Sequence, residues 1–79
     1  MSQEQFGALL PIISADLVAE IAARRALTEQ AAIRLLYHSG LYAALEQEDT
    51  KLWHFSPLTL FNMFDEEKRT GNFEFPEEV

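Results

Sequence analysis

The stretch Asp49-Thr50-Lys51-Leu52-Trp53-His54-Phe55-Ser56-Pro57 decides how the chain divides. It holds the only Trp, one of the two His and the clearest helix start in the sequence. At Ser56-Pro57 a serine can cap a helix whose first residue is proline, which lacks only an amide that would have no helical partner. The residues before the stretch read as two helices, and those after it as one helix and a tail. Asp49 and Thr50 suit a local turn. Leu52 and Trp53 suit the core, and a buried Trp53 needs an acceptor for its indole N–H.

Downstream, the spacing predicts a helix over Pro57–Thr70. Leu60, Phe61, Phe64 and Lys68 share one side. Asp65-Glu66-Glu67-Lys68-Arg69 ends it in charge, and Gly71 supplies the stop. Residues 72–79 alternate apolar and polar and read as an extended tail with Phe73 and Phe75 on one side. Pro76 excludes a central strand.

Upstream, Phe6, Leu10, Ile13, Leu17 and Ile21 step by three and four and form one helical stripe, with Leu9 and Ile12 on its flank. Arg24 and Arg25 sit where a helix C-terminus favours cations. Pro11 deletes the bond to the Gly7 carbonyl. Either one kinked helix covers residues 3–25, or a turn precedes a helix from 11; Gly7 beside Pro11 favours the kinked single helix. Thr28 then caps a second helix from Glu29 to about Ser39. Gln30, Arg34 and His38 make its polar strip, and Ala32, Ile33, Leu35, Leu36 and Tyr37 its broad apolar face. A helix this apolar is expected to lie centrally, between the first and last helices. Ser39-Gly40 is a break, with Gly40 a candidate left-handed cap. Residues 41–46 suit a short extra turn.

The expected fold is therefore all-α: one domain over 1–79, a compact bundle of three main helices with a short extra helical turn and an extended C-terminal tail. The expected core is Leu10, Ile13, Leu17, Ile21, Ile33, Leu36, Tyr37, Leu41, Leu45, Leu52, Trp53, Leu60, Phe61 and Phe64.

At 79 residues the chain buries only about 60% of the surface its unfolded form exposes. Cysteine is absent, which removes disulfides and thiolate chemistry and fits a cytoplasmic location. The first residues lack the basic region of a secretory signal. The longest apolar run, Ala8 to Ile13, is too short to span a bilayer. The net charge is −7. Residues 1–45 hold four acids and three bases, and residues 46–79 nine acids and three bases. Such a balance opposes binding to nucleic acid or an anionic membrane and suits a basic protein partner.

No metal-ligand spacing, phosphate loop or nucleophile elbow is present, so no cofactor or metal is expected. His38 and His54 are the only histidines, and an enzyme would have to use one of them with a carboxylate. Ser39 and Ser56 are explained by helix termination and capping. Asp65, Glu66 and Glu67 read first as a solvated face, and second as a surface for a basic partner. Trp53 and Phe55 flank His54 and could be core or an aromatic anchor. Phe73 and Phe75 must fold back, or pair with another chain.

The leading expectation is a non-enzymatic protein–protein interaction module: the neutralising partner of a toxin, or a subunit of a larger complex. Its contact residues would be His54, Phe55, Phe73, Phe75, Asp65 and Glu66. Self-pairing to a homodimer would enlarge the core of so small a chain. A helix-turn-helix-like regulator, broken at Ser39-Gly40, is the alternative, with only Arg34, Lys51, Lys68 and Arg69 for phosphate.

The residues Leu27-Thr28-Glu29-Gln30-Ala31, Leu36-Tyr37-His38-Ser39, Tyr42, Leu45, Asp49 to Pro57, Gly71 and Phe75-Pro76 together resemble a group of small bacterial proteins of unknown function. The resemblance spans nearly the whole chain and is most specific over Thr50 to Pro57. It implies a stand-alone helical protein without an established activity.

Overall fold

In a computed structural model, which describes residues 2–73, the chain forms four α-helices: α1 (Gln3–Arg25), α2 (Glu29–Tyr37), α3 (Gly40–Leu45) and α4 (Pro57–Thr70). Two 3-10 turns, Glu48–Thr50 and Leu52–His54, join α3 to α4. The described residues contain no strand. The all-α class, the three long helices and the short extra helix match the sequence pattern, and α4 has the expected bounds.

Each helix start has a local cause. Ser2 Oγ accepts from the Gln5 amide at 3.1 Å, and the Gln5 side chain accepts in return from the Ser2 amide at 3.3 Å, closing a capping box. Thr28 Oγ1 accepts from the Ala31 amide at 3.1 Å, and Ser56 Oγ from the Thr59 amide at 3.2 Å. α1 runs unbroken through Pro11, as the single-helix reading requires. It ends at Ala26, whose left-handed φ of 54° is a conformation that favours glycine. Gly71 closes α4 in the same way, with a φ of 87°.

The first correction concerns the centre of the fold. α1, not α2, is the central helix, because α2 and α4 both pack along it. α1 buries Phe6, Ile13, Leu17, Val18 and Ile21, and its length gives room for a helix on each flank. The nine-residue α2 buries only Ala32 and Leu36. Ile13, Leu17, Ile21, Leu36, Leu41, Leu45, Leu52, Leu60, Phe61 and Phe64 are core as expected, joined by Phe6, Val18, Ala32 and Met63. Leu10, Ile33 and Trp53 pack half-buried against it. Tyr37 does not belong to the core and is 51% exposed. It is the last residue of α2, and its ring stacks on the outside of Tyr42, with centroids 4.5 Å apart.

The second correction is Gly40. It is not a left-handed cap but the first residue of α3, following Ser39 as N-cap. Ser39 Oγ donates to the Leu36 carbonyl at 2.6 Å and accepts from the Tyr42 amide at 3.1 Å, so one hydroxyl ends α2 and starts α3. Glu67 reaches across from α4. Its two carboxylate oxygens accept from the amides of Gly40, at 2.8 Å, and Leu41, at 2.9 Å. A Cβ at position 40 would stand 3.1 Å from Glu67 Oε2, a tight approach that glycine avoids. A third point concerns α1 as a membrane span: over an 18-residue window its mean hydropathy is 1.7, so by length and composition it could cross a bilayer even though its longest unbroken apolar run is short. In this fold it serves as a core helix.

Charge-assisted bonds at a helix N-terminus contribute about 1–2 kcal/mol when partly exposed. Glu67→Ala is expected to lower the thermal midpoint by several degrees, at about 4–8 °C per kcal/mol for a chain of this size. Glu66→Ala, half-buried one residue earlier, should move it much less. Equal shifts for the two variants would refute the clamp.

Candidate functional site

The residues expected to form a contact surface fall in separate places. His54 ends the second 3-10 turn, exposed; its Nδ1 contacts the Lys51 carbonyl and its ring lies over Phe55, centroids 4.2 Å apart. Lys51, between the two turns, has a left-handed φ of 59°. Phe55 and Phe73 are half-buried against the core. Phe75 lies outside the described residues. Asp65 is held between Arg25, at 2.8 Å, and Arg69, at 3.1 Å, and so ties α4 to α1. Glu66 is half-buried on α4. Trp53 Nε1 finds the acceptor it needs in the Glu48 carbonyl at 3.0 Å. The single Thr50 hydroxyl proton is shared between the carbonyls of Ala44 and Gln47, 2.9 and 2.8 Å from Oγ1. The stretch that divides the sequence is thus a knot of local bonds joining α3 to α4. His38 is the exposed C-cap of α2. Among the described residues no cluster of three or more His, Asp or Glu could hold a metal.

A different surface stands out. Large apolar side chains are exposed at Ile12, 59%, Tyr37, 51%, and Leu58, 46%. Ile12 lies on an outward arc of α1 with Ala8, Pro11, Ala15, Ala19 and Ala23, all exposed. Beside this arc an open groove of about 340 Å³ runs between α1 and α2. Pro11, Ser14, Ala15 and Ala19 line it from α1, and Ile33 and Tyr37 from α2. Glu29 brings the one charge among its lining residues.

Ser14 gives the groove a polar point. It is 4% exposed, and its Oγ has no hydrogen-bond partner. It faces the Tyr42 phenol without closing a bond of good geometry. Burial raises the pKa of Tyr42; Ser14 opposes that rise, and Tyr37 and Glu46 add to it.

The sequence contained a faint signal for this face. Ala15, Ala19 and Ala23 recur at helical spacing, and the outward arc of α1 carries only Glu4 and Asp16 as charges. An exposed helix face normally carries more. Alanine weighs little in any apolar count, so this face is far fainter than the large-residue stripe opposite it.

No protein-family model matches the chain, and no curated protein or solved structure is significantly similar to it.

The Tyr42 shift has a pH signature. Below its ordinary value of 10.0 the phenol is protonated in both states and folding is unaffected. Above it the unfolded chain loses the proton first, so stability falls as pH rises towards the folded-state pKa. Tyr42→Phe should flatten the loss of stability above about pH 10 relative to the parent chain. Denaturant midpoints across that range check it, and parallel curves would contradict it.

Proposed function

We propose that this protein is a non-enzymatic protein–protein interaction module that docks a partner on the outward face of α1 and the adjoining α1–α2 groove. The observation that carries the reading is the distribution of α1. Only a third of its most apolar window is buried, and Ile12, Ala15, Ala19 and Tyr37 are left at the surface. Contiguous apolar surface of this kind marks interaction sites. Its rim is polar, with Asp16 and Glu29 exposed, as interfaces generally are. Neutralisation of a toxin and membership of a larger complex are two forms this role would take.

This reading moves the contact surface away from His54, Phe55, Asp65 and Glu66. Asp65 is engaged by two arginines and Phe55 by the core. The groove and Tyr37 offer more unengaged apolar surface than either.

A photo-cross-linking residue at position 12, in the native host, should yield one discrete adduct, with the partner peptide mapped by mass spectrometry. The same residue at Leu58, exposed on α4, should not yield that adduct. Recovery of uncross-linked chain alone at position 12, or the same adduct from both positions, would defeat the reading.

A further inference from the structure

Resting on the interaction reading, we infer the chemistry of the partner: the α1–α2 groove takes an amphipathic helix with a narrow apolar stripe bordered by lysine or arginine.

The shape of the groove sets the first half. Ala15 and Ala19 line it from α1 with small side chains, and Ile33 and Tyr37 line it from α2 with large ones. Small side chains let a second helix approach closely, and anchors spaced i, i+3, i+4 and i+7 suit such a trough. Ser14 lines the groove from α1, but its hydroxyl is buried and faces the Tyr42 phenol, so the groove offers an occupant mainly apolar contact.

Charge sets the second half. Glu29 lines the groove, and Asp16 and Glu4 stand exposed on the outward arc of α1. No cation lines it. The two cations of α1 are engaged elsewhere: Arg24 with Glu20 at 2.6 Å, and Arg25 with Asp65 at 2.8 Å. Arg34 of α2 belongs to the strip beyond Ile33 and is not a lining residue. Carboxylates around an apolar trough select a basic partner.

The same charges disfavour the other occupants. A second copy would pair this face with itself, and a two-fold axis near the middle of α1 would bring Asp16 towards its own copy. The chain's own last residues include Glu74, Glu77 and Glu78 and are of the wrong sign. An anionic lipid surface would meet Asp16 and Glu29 directly.

The test uses the full chain and two synthetic helical peptides with one leucine–alanine stripe, bordered by lysine in one and by glutamate in the other. Fluorescence anisotropy near physiological salt should show binding of the lysine peptide and at least about tenfold weaker binding of the glutamate peptide. Ala15→Trp fills the groove without changing charge, and Glu29→Lys changes charge without filling it. Each should weaken the lysine peptide at least about tenfold while leaving the helical circular dichroism intact. Asp16→Lys should act like Glu29→Lys.

Undiminished binding to Ala15→Trp would overturn the inference, since attraction to the acidic chain at large would explain it. Equal affinity for both peptides, or none for either, would overturn the basic partner; the adduct at position 12 judges the interaction reading separately. A concentration-dependent dimer in sedimentation that Ala15→Trp abolishes would assign the groove to a second copy. NMR contacts between Phe75 and Ala15 in the free chain would assign it to the chain's own tail. Either would likewise overturn the inference.

Discussion

The fold depends on α1 being apolar around more of its circumference than one neighbour can cover. α2 takes one flank and α4 the other, and α3 with the 3-10 turns closes the end between them. Leu17 and Ile21 are inaccessible to solvent, and so are Leu36, Leu41, Leu45, Leu52, Leu60 and Phe64 around them. Each fully buried side chain of this size contributes about 1.5–3 kcal/mol before the entropy of ordering the chain is set against it. A chain without disulfides has little else to hold it, so the inner stripe of α1 cannot be shortened or diluted. The outward arc is under a different demand. Alanine keeps it helical at no side-chain entropy cost, and the result is a helix apolar on both sides.

The acidic surplus is less loose than a net charge of −7 implies. Glu67 is spent on the N-terminus of α3, Asp65 on two arginines, and Glu20 on Arg24. Arg24 and Arg25 also lie over the rings of Phe61 and Phe64, and Lys68 over Phe64. Cations are therefore concentrated along the α1–α4 seam, where they connect two helices through carboxylate and ring together. The other side of α1 differs. Its outer arc carries only acids, and the one charge lining the α1–α2 groove is Glu29.

Most of the architecture was legible in the sequence, and for identifiable reasons. Ser56-Pro57 and Gly71 bracket α4 with chemistry that works at short range, and Thr28 does the same for the start of α2. The stripe from Ile13 to Ile21 reads directly as a buried face. The illegible parts depend on position in space. Ser39 caps α3 locally, but the same serine also ends α2, and the carboxylate that holds the first amides of α3, Glu67, is 27 residues away. Tyr37 has a core residue's chemistry, and only the neighbouring Tyr42, stacked beneath it, leaves it outside. The centrality of α1 follows from its length, which gives two shorter helices a common surface, whereas apolar fraction alone pointed to α2.

The candidate site carries a weak signal in the sequence. Aromatic and histidine side chains cluster instead at residues 53–55, and two phenylalanines lie in the tail. In a chain this short, large rings are the most effective way to remove area from water, so Phe6, Phe61 and Phe64 are buried and Trp53, Phe55 and Phe73 half-buried against the core. The surface left over is built mainly from small residues. The α1 side of the groove, Pro11, Ser14, Ala15, Val18 and Ala19, has no single residue that announces it; its signature is collective, an exposed helical arc with few charges. That arc lies beside a serine buried without a hydrogen-bond partner and a glutamate with no cation beside it in the groove. Ala15 and Ala19, both exposed, favour the helix by themselves. In the proposed docking their smallness also lets a partner helix come close to α1, and the carboxylates at the rim set the sign of its charge.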